Sequence, residues 1–484
     1  MIFPDNGKRA ELGLFIDGKM RSGRGATYEL IDPATETVLA NVSGASEGDV
    51  ADAVASAERG MKAWQGLSPQ QRYQVLIGTA AQLRASSGEL ARTLSMEQGK
   101  TLAEASIEVE LAAETFDWYA GEVLRLYGRV LPARSPQSFQ TVTPVPMGVA
   151  ACFTPWNFPI LLAARKVAPA LAAGCAAILK PAEETVAIAL SLAQCLTDAG
   201  APAGAIAVLH GDAPRISDQL IAAPAVRTVT FTGSTAIGRV VAQTAARWLK
   251  PCVLELGGHA PVIVMDDADV PSAAATAVLG KIRNAGQVCT SPTRFFVARP
   301  VYDSFVDAFA AGMDAVRVGR GIEDGVQMGA LANARRVEAA DALVQDAVAK
   351  GARLLTGGQR EGNQGFLYRP TVLADVPDDA NVLSTEPFCP IAAIVPYDRV
   401  EDAIARANAH QAGLAGYVFG SDFAAAQAVA RQLEVGQVGI NSCAVSHIEA
   451  TFGGAKESGY GVESSSEGMH AFLRYQYIHH LQLG

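Results

Sequence analysis

The chain has 484 residues, 49% of them hydrophobic and 18% charged, with a formal net charge of −10. That length exceeds what one hydrophobic core supports and calls for two or three domains of ordinary globular composition. An acidic balance without a Lys/Arg-rich run lacks the electrostatic footprint of a nucleic-acid binder, and the longest uncharged stretch, 135–164, is broken by Pro136, Pro144, Pro146, Pro155 and Pro159, so no membrane span is expected.

Residues 1–20 carry scattered charges and no apolar centre, so no signal peptide is expected. Residues 14–19 predict a strand and a turn. From about 46 to 119, apolar residues recur at three- and four-residue steps, which predicts helices. Ser46 and Ser68 are the expected N-caps, the second followed by Pro69 at the first helical position. From 148 the rhythm changes. Strands are predicted at 148–153, 175–179, 206–209 and 226–232, with helices at 159–173, 184–198 and near 215–222. Short apolar strands alternating with helices predict a parallel sheet covered on both faces, with ligands at the carboxyl ends of its strands. A second alternating region begins near Glu255, with strands at 261–264, 294–297, 391–395 and 417–419. There is no internal repeat and no low-complexity linker, so the domains are expected to pack tightly.

Seven dispersed cysteines without a CxxC pair fit reduced thiols and a cytoplasmic location. The seven histidines show no HExxH spacing, so no metal site is expected. Only Cys289 follows a polar, glycine-bearing segment, Asn284-Ala285-Gly286-Gln287, and a lone thiol there is a candidate nucleophile. Taken alone, it could equally be a small buried hydrophobe.

Four further segments bear on chemistry. Gly233-Ser234 follows the strand 226–232 and opens a helix, where backbone amides attract phosphate. Its spacing is not GxGxxG, and a ligand-free turn would look the same. Lys180 and Glu183 end another strand, where a carboxylate can grip ribose hydroxyls and repel a 2′-phosphate. The alternative is a charge pair at a helix start. Asn157 sits between two prolines and two aromatics, a rigid frame for a carboxamide that stabilises an oxyanion, or for a loop cap. Glu255 lies between Leu254 and Leu256, whose apolar environment would raise its pKa towards that of a general base. A surface-facing strand end is the other reading.

Together, Phe153-Thr154-Pro155-Trp156-Asn157-Phe158-Pro159, Lys180-Pro181-Ala182-Glu183, Phe231-Thr232-Gly233-Ser234, Leu254-Glu255-Leu256-Gly257-Gly258, Gly286-Gln287-Val288-Cys289 and Glu386-Pro387-Phe388 resemble the aldehyde dehydrogenase superfamily in order and spacing over nearly the whole chain. The resemblance implies an α/β fold with a Rossmann-like cofactor domain (1–122 and 143–254) and an α/β catalytic domain (255–453). It also implies a small β oligomerisation unit (123–142 and 454–484) and a homodimer or homotetramer. It implies Cys289 as the nucleophile forming a thiohemiacetal and then a thioester. Asn157 with the Cys289 N–H would be the oxyanion hole, and Glu255 the base that activates water. NAD, with NADP possible, would be held by Thr154, Pro155 and Trp156, by Lys180 and Glu183 at the ribose, and by Gly233 and Ser234 at the pyrophosphate. Glu386 and Phe388 would hold its nicotinamide half. Cys389 stands where the family usually has Gly, and its side chain is expected to shift Phe388. His259 stands where Lys is frequent and is given no role.

The resemblance is nearest to the succinate-semialdehyde dehydrogenase branch, where arginines at the positions of Arg165 and Arg283 bind the far carboxylate, a pairing that guanidinium geometry suits. Structural salt bridges are the alternative for both. Ser446 is a further candidate pocket wall. Glutarate semialdehyde, 2-oxoglutarate semialdehyde and broad-range small aldehydes remain alternatives for the substrate.

Overall fold

The computed structural model describes residue 3 and residues 9–482. Residues 1–2, 4–8 and 483–484, at the outer ends of the expected terminal segments, lie outside the described residues.

Five short apolar segments form the centre of an eight-stranded sheet. In spatial order they are Cys252–Glu255, Val226–Thr232, Val149–Phe153, Ala177–Lys180 and Ile206–Val208, all parallel. Val149–Phe153 is buried throughout, as a continuous apolar run is when helices cover both faces. Leu14–Ile16 and Lys19–Arg21 extend one edge antiparallel, and Gly459–Tyr460 extends the other. After Val149–Phe153 the chain adds two strands on one side and then two on the other. The winding therefore reverses between Val149–Phe153 and Val226–Thr232, and a crevice opens at their carboxyl ends.

The chain then crosses at Leu256-Gly257-Gly258 into a seven-stranded sheet. Its order is Arg353–Thr356, Thr371–Ala374, Ile391–Tyr397, Pro292–Ala298, Ala260–Val264, Ala415–Phe419 and Gln437–Ile440. Only Arg353–Thr356 pairs antiparallel. Each sheet has its own core. Trp64, Phe116 and Tyr119 belong to the cluster against the first, and Phe295, Phe305 and Phe309 to the cluster in the second. A three-stranded antiparallel sheet joins Leu473–Leu481, Ser138–Pro146 and Arg129–Leu131, with Tyr475, Tyr477 and Ile478 exposed. Among the described residues no helix is long and apolar enough to cross a membrane.

Ser46 and Ser68 cap the helices Glu47–Gly66 and Pro69–Ala85, each closing a capping box. The strand and turn expected over 14–19 is a hairpin whose turn residues Asp17 and Gly18 have φ of 57° and 75°, the left-handed pair that two-residue hairpins favour. The helix expected from 184 begins at Val186. Glu184 accepts a hydrogen bond from Asn333 Nδ2 at 3.2 Å and so leaves the first turn.

Candidate active site

A cavity of about 440 Å³ lies where the carboxyl ends of the eight-stranded sheet meet the amino ends of the seven-stranded one. The first sheet contributes Pro155, Trp156 and Asn157 after Phe153, Gly233 and Ser234 after Thr232, and Glu255. The second contributes Cys289 ahead of Pro292–Ala298 and Glu386 and Phe388 ahead of Ile391–Tyr397. Arg165, Arg283 and Ser446 complete the set brought together there. Thr154, Lys180 and Glu183 do not line this cavity. Glu183 lines a second one, of about 660 Å³, with Tyr28, Gly211 and Arg215.

The loop that presents Cys289 is tightly specified. Asn284 (φ 46°, ψ 39°), Ala285 (φ 53°, ψ 36°) and Gly286 (φ 72°) are left-handed in succession. Asn tolerates that region, and at Gly286 a Cβ would lie 2.3 Å from the Cys389 carbonyl oxygen, so no side chain fits. Gln287 is locked by its carboxamide, which accepts from the Ala332 N–H at 2.9 Å and donates to the Asn284 carbonyl at 3.1 Å. The Tyr417 hydroxyl donates to the Thr290 carbonyl at 2.5 Å. The crossing segment passes so close that a Cβ at Gly258 would lie 2.1 Å from the Cys289 carbonyl oxygen.

Burial pushes the Cys289 thiol up to about 12; Glu386 and Glu255 add to this, and Arg165 and Arg283 oppose it. Glu255 is buried and neither carboxylate oxygen has a hydrogen-bond partner among the described residues. Burial, reinforced by Glu463, holds its carboxyl well above the usual range, against the opposing charges of Lys166 and Arg165. Lys166 pairs with Glu463 and donates to Thr230 Oγ1 at 2.9 Å. Asn157 donates one carboxamide N–H to the Gln287 carbonyl at 3.1 Å, and its Oδ1 is buried without a partner. Burial raises the Glu386 carboxyl to about 7, although it accepts the Gly258 N–H at 3.0 Å.

The crevice has features that fit a dinucleotide. Thr154 Oγ1 and Thr232 Oγ1, at the ends of paired strands, are buried and unpartnered. Ser234 caps the helix Thr235–Arg247, whose first amides open onto the same crevice. Trp156 and Phe388 meet edge to face at 5.5 Å. Lys180 Nζ donates to Glu183 Oε1 at 2.6 Å.

Arg165 is 4% exposed. It donates to Ser446 Oγ at 2.8 Å, faces the Phe452 ring at 5.3 Å and has an unpartnered Nε. Arg283 lies over Phe158 at 5.1 Å. No ion pair to a carboxylate is present for either arginine among the described residues, so the structural salt bridges considered as their alternative role are absent. Cys389 is buried and has no left-handed φ; it is Phe388, at 47°, that takes that conformation. A side chain at 389 is therefore accommodated without backbone strain. His259 is buried against His410 and does not reach the cavity.

Several residues of the site carry no motif in the sequence. Asn284 donates from Nδ2 to the Asn157 and Gln287 carbonyls at 2.9 and 3.3 Å. Phe452 and Glu463 line the cavity. Lys100 and Glu108 are buried ions inside a helical apolar pattern, and their four-residue-multiple spacing was the available signal. Among the described residues, no group of three or more His, Cys, Asp or Glu is placed to hold a metal ion.

Residues 20–478 match the aldehyde dehydrogenase family. The chain is 46% identical to the 4-(hydroxymethyl)benzenesulfonate dehydrogenase TsaD1 of Comamonas testosteroni over 97% of this chain and 98% of that one. It is 39% identical to a glutarate-semialdehyde dehydrogenase of Pseudomonas aeruginosa over 96% of each. A crystal structure of succinate-semialdehyde dehydrogenase from Burkholderia pseudomallei superposes with a TM-score of 0.95 at 39% identity, covering 97% of this chain and 98% of that chain. The α/β architecture, the cavity between two sheets and these full-length similarities lead to one conclusion: the chain belongs to the aldehyde dehydrogenase family and is an NAD(P)-linked aldehyde dehydrogenase.

Proposed function

We propose that this enzyme oxidises aldehydes that carry an anionic group remote from the aldehyde carbon, with succinate semialdehyde as the leading candidate. The observation that carries this reading is the pair Arg165 and Arg283, without carboxylate partners and in one cavity with Cys289. A buried guanidinium with an unsatisfied N–H is a standing site for a carboxylate or sulfonate. Ser446 adds a third donor. The similarity to TsaD1 favours a second reading within the same class, an aryl aldehyde bearing a sulfonate.

Cys289 attacks the aldehyde carbon, and its thiol proton leaves as the thiohemiacetal forms. The free N–H of the Asn157 carboxamide and the Cys289 backbone N–H stabilise the oxyanion. NAD(P), when bound, supplies the hydride acceptor that makes the thiohemiacetal a thioester. Glu255 then takes a proton from water, whose oxygen attacks the thioester and releases carboxylate and thiol. Lys180 and Glu183 hold the adenosine ribose, Gly233 and Ser234 the pyrophosphate, and Glu386 and Phe388 the nicotinamide half, with Thr154, Pro155 and Trp156 as the crevice wall. The Lys180–Glu183 pair favours NAD, since a carboxylate repels a 2′-phosphate.

The division proposed is a cofactor unit (1–122, 143–254), a catalytic unit (255–453) and a bridging unit (123–142, 454–484). The exposed strand Leu473–Leu481 supports a homodimer or homotetramer. A cytoplasmic location fits the unpaired cysteines. The test is reduced-cofactor formation with succinate semialdehyde, glutarate semialdehyde, 4-formylbenzenesulfonate and an uncharged aldehyde of similar length. Equal kcat/KM for charged and uncharged substrates would refute the remote-anion reading.

A further inference from the structure

The helix Leu102–Val123 touches both halves of the oxyanion site through side chains that the proposed chemistry does not use. Lys100 precedes its N-cap, Thr101, and Glu104 and Glu108 follow one turn apart. Lys100 and Glu108 are each 1% exposed. Lys100 Nζ donates to Glu108 Oε2 at 2.5 Å and to the Asn157 carbonyl at 2.8 Å. The other Glu108 oxygen accepts the Ile160 and Leu161 N–H groups at 3.1 and 3.3 Å. Those amides begin the helix Pro159–Ala172, which has no side-chain cap of its own. The ion pair therefore grips the Asn157 turn on both sides of the carboxamide.

Glu104 reaches the other half. Its Oε1 accepts the Asn284 backbone N–H at 2.6 Å. Its Oε2 is fixed by the Thr101 N–H and hydroxyl at 3.0 and 2.9 Å. Asn284 is the left-handed residue at the base of the Cys289 loop, and its carboxamide ties the Asn157 carbonyl to the Gln287 carbonyl. A buried ion pair adds little net stability over an apolar pair, because desolvation offsets the attraction. What such a pair does supply is a fixed geometry.

We propose that Lys100, Glu104 and Glu108 are positioning residues that set the placement of the Asn157 carboxamide relative to Cys289. This rests on the roles given to Asn157 and Cys289 above. A misplaced donor weakens the tetrahedral transition states and leaves nucleotide binding alone.

The test is a double-mutant cycle between Glu104→Met and Asn157→Ala, read as kcat/KM for the aldehyde, with nucleotide affinity measured separately by titration. Glu104→Met alone lowers kcat/KM by about tenfold or more, since small misplacements in a reacting geometry cost up to about a hundredfold. Nucleotide affinity is unchanged. In the Asn157→Ala background the same change costs less than about twofold, because nothing is left to position. A merely structural Glu104 gives the same factor in both backgrounds, and that result, or no loss in the single variant, overturns the proposal. Lys100→Met repeats the cycle from the other side, and if it does not fold, the Glu104 cycle decides alone. An Asn157→Ala variant with full turnover would overturn the oxyanion reading itself, a different outcome from equal factors.

Discussion

Replacing Arg165 by Met tests the remote-anion reading most directly. Arg165 is almost fully buried and has Ser446 Oγ as its hydrogen-bond partner, with Phe452 against its face. Removing it strands no carboxylate, and a Met of similar length fills the space beside Phe452. A charge-assisted hydrogen bond to a bound anion contributes about 1.5–3 kcal/mol. The buried position puts Arg165 in the middle of that range. A loss of about 2 kcal/mol corresponds to about a 30-fold fall in kcat/KM for succinate semialdehyde. An uncharged aldehyde of similar length should change by less than about threefold, since no bond to it is lost. Arg283 is less buried and stacks on Phe158, so Arg283→Met should cost less, about tenfold. The assay is initial-rate formation of the reduced cofactor over a range of each substrate. Equal losses for charged and uncharged substrates would show that Arg165 shapes the pocket without recognising the anion.

Glu255→Gln should give a single burst of reduced cofactor and then stall, with acyl-enzyme visible by intact-protein mass spectrometry; steady turnover would remove Glu255 as the base. Because burial holds the Cys289 thiol up to about 12 in the ligand-free protein, its alkylation rate should rise steadily with pH up to at least 10; the thiolate fraction grows about tenfold per pH unit below the pKa. A plateau near neutral pH would mean that a cation activates the thiol in the resting enzyme. Glu183→Ser should raise the NADP-to-NAD ratio of kcat/KM by about tenfold, by removing a charge that repels a 2′-phosphate, and an unchanged ratio would place the discrimination elsewhere.

The parallel sheets were legible because continuous apolar runs such as Val149–Phe153 alternate with helices, a pattern that follows from burial on both faces. The edges were not. Lys19–Arg21, Gly459–Tyr460 and Thr371–Ala374 have two to four residues each, too few for any period to show. The sheet near the amino end, Ala10–Leu12, Val38–Ser43 and Thr27–Ile31, is read only from pairing between distant segments. The candidate site was legible where a segment bundles several constraints, as in Asn157 between prolines or Glu255 before two glycines. Lys100 and Glu108 were missed because a charge in an amphipathic helix ordinarily faces water, and only tertiary packing turns these two inward. Asn284 was quoted as part of a segment, but its left-handed conformation depends on Glu104 binding its amide. The expectation that Cys389 displaces Phe388 assumed the flexible angle lay at 389, whereas the chain places it one residue earlier.

The crossing at Leu256-Gly257-Gly258 also divides the enzyme for the purposes of recombination. A chimera of two relatives joined there would inherit Asn157, Lys180, Glu183 and Glu255 from one parent and Cys289, Glu386 and Phe388 from the other. The ribose grip travels as one block, so cofactor preference should be transplantable in a single exchange. The anion-binding residues do not, because Arg165 lies upstream of the junction while Arg283 and Ser446 lie downstream. Substrate preference in such a hybrid is set jointly by both parents, and lineages that shuffle at this joint would exchange cofactors more readily than substrates.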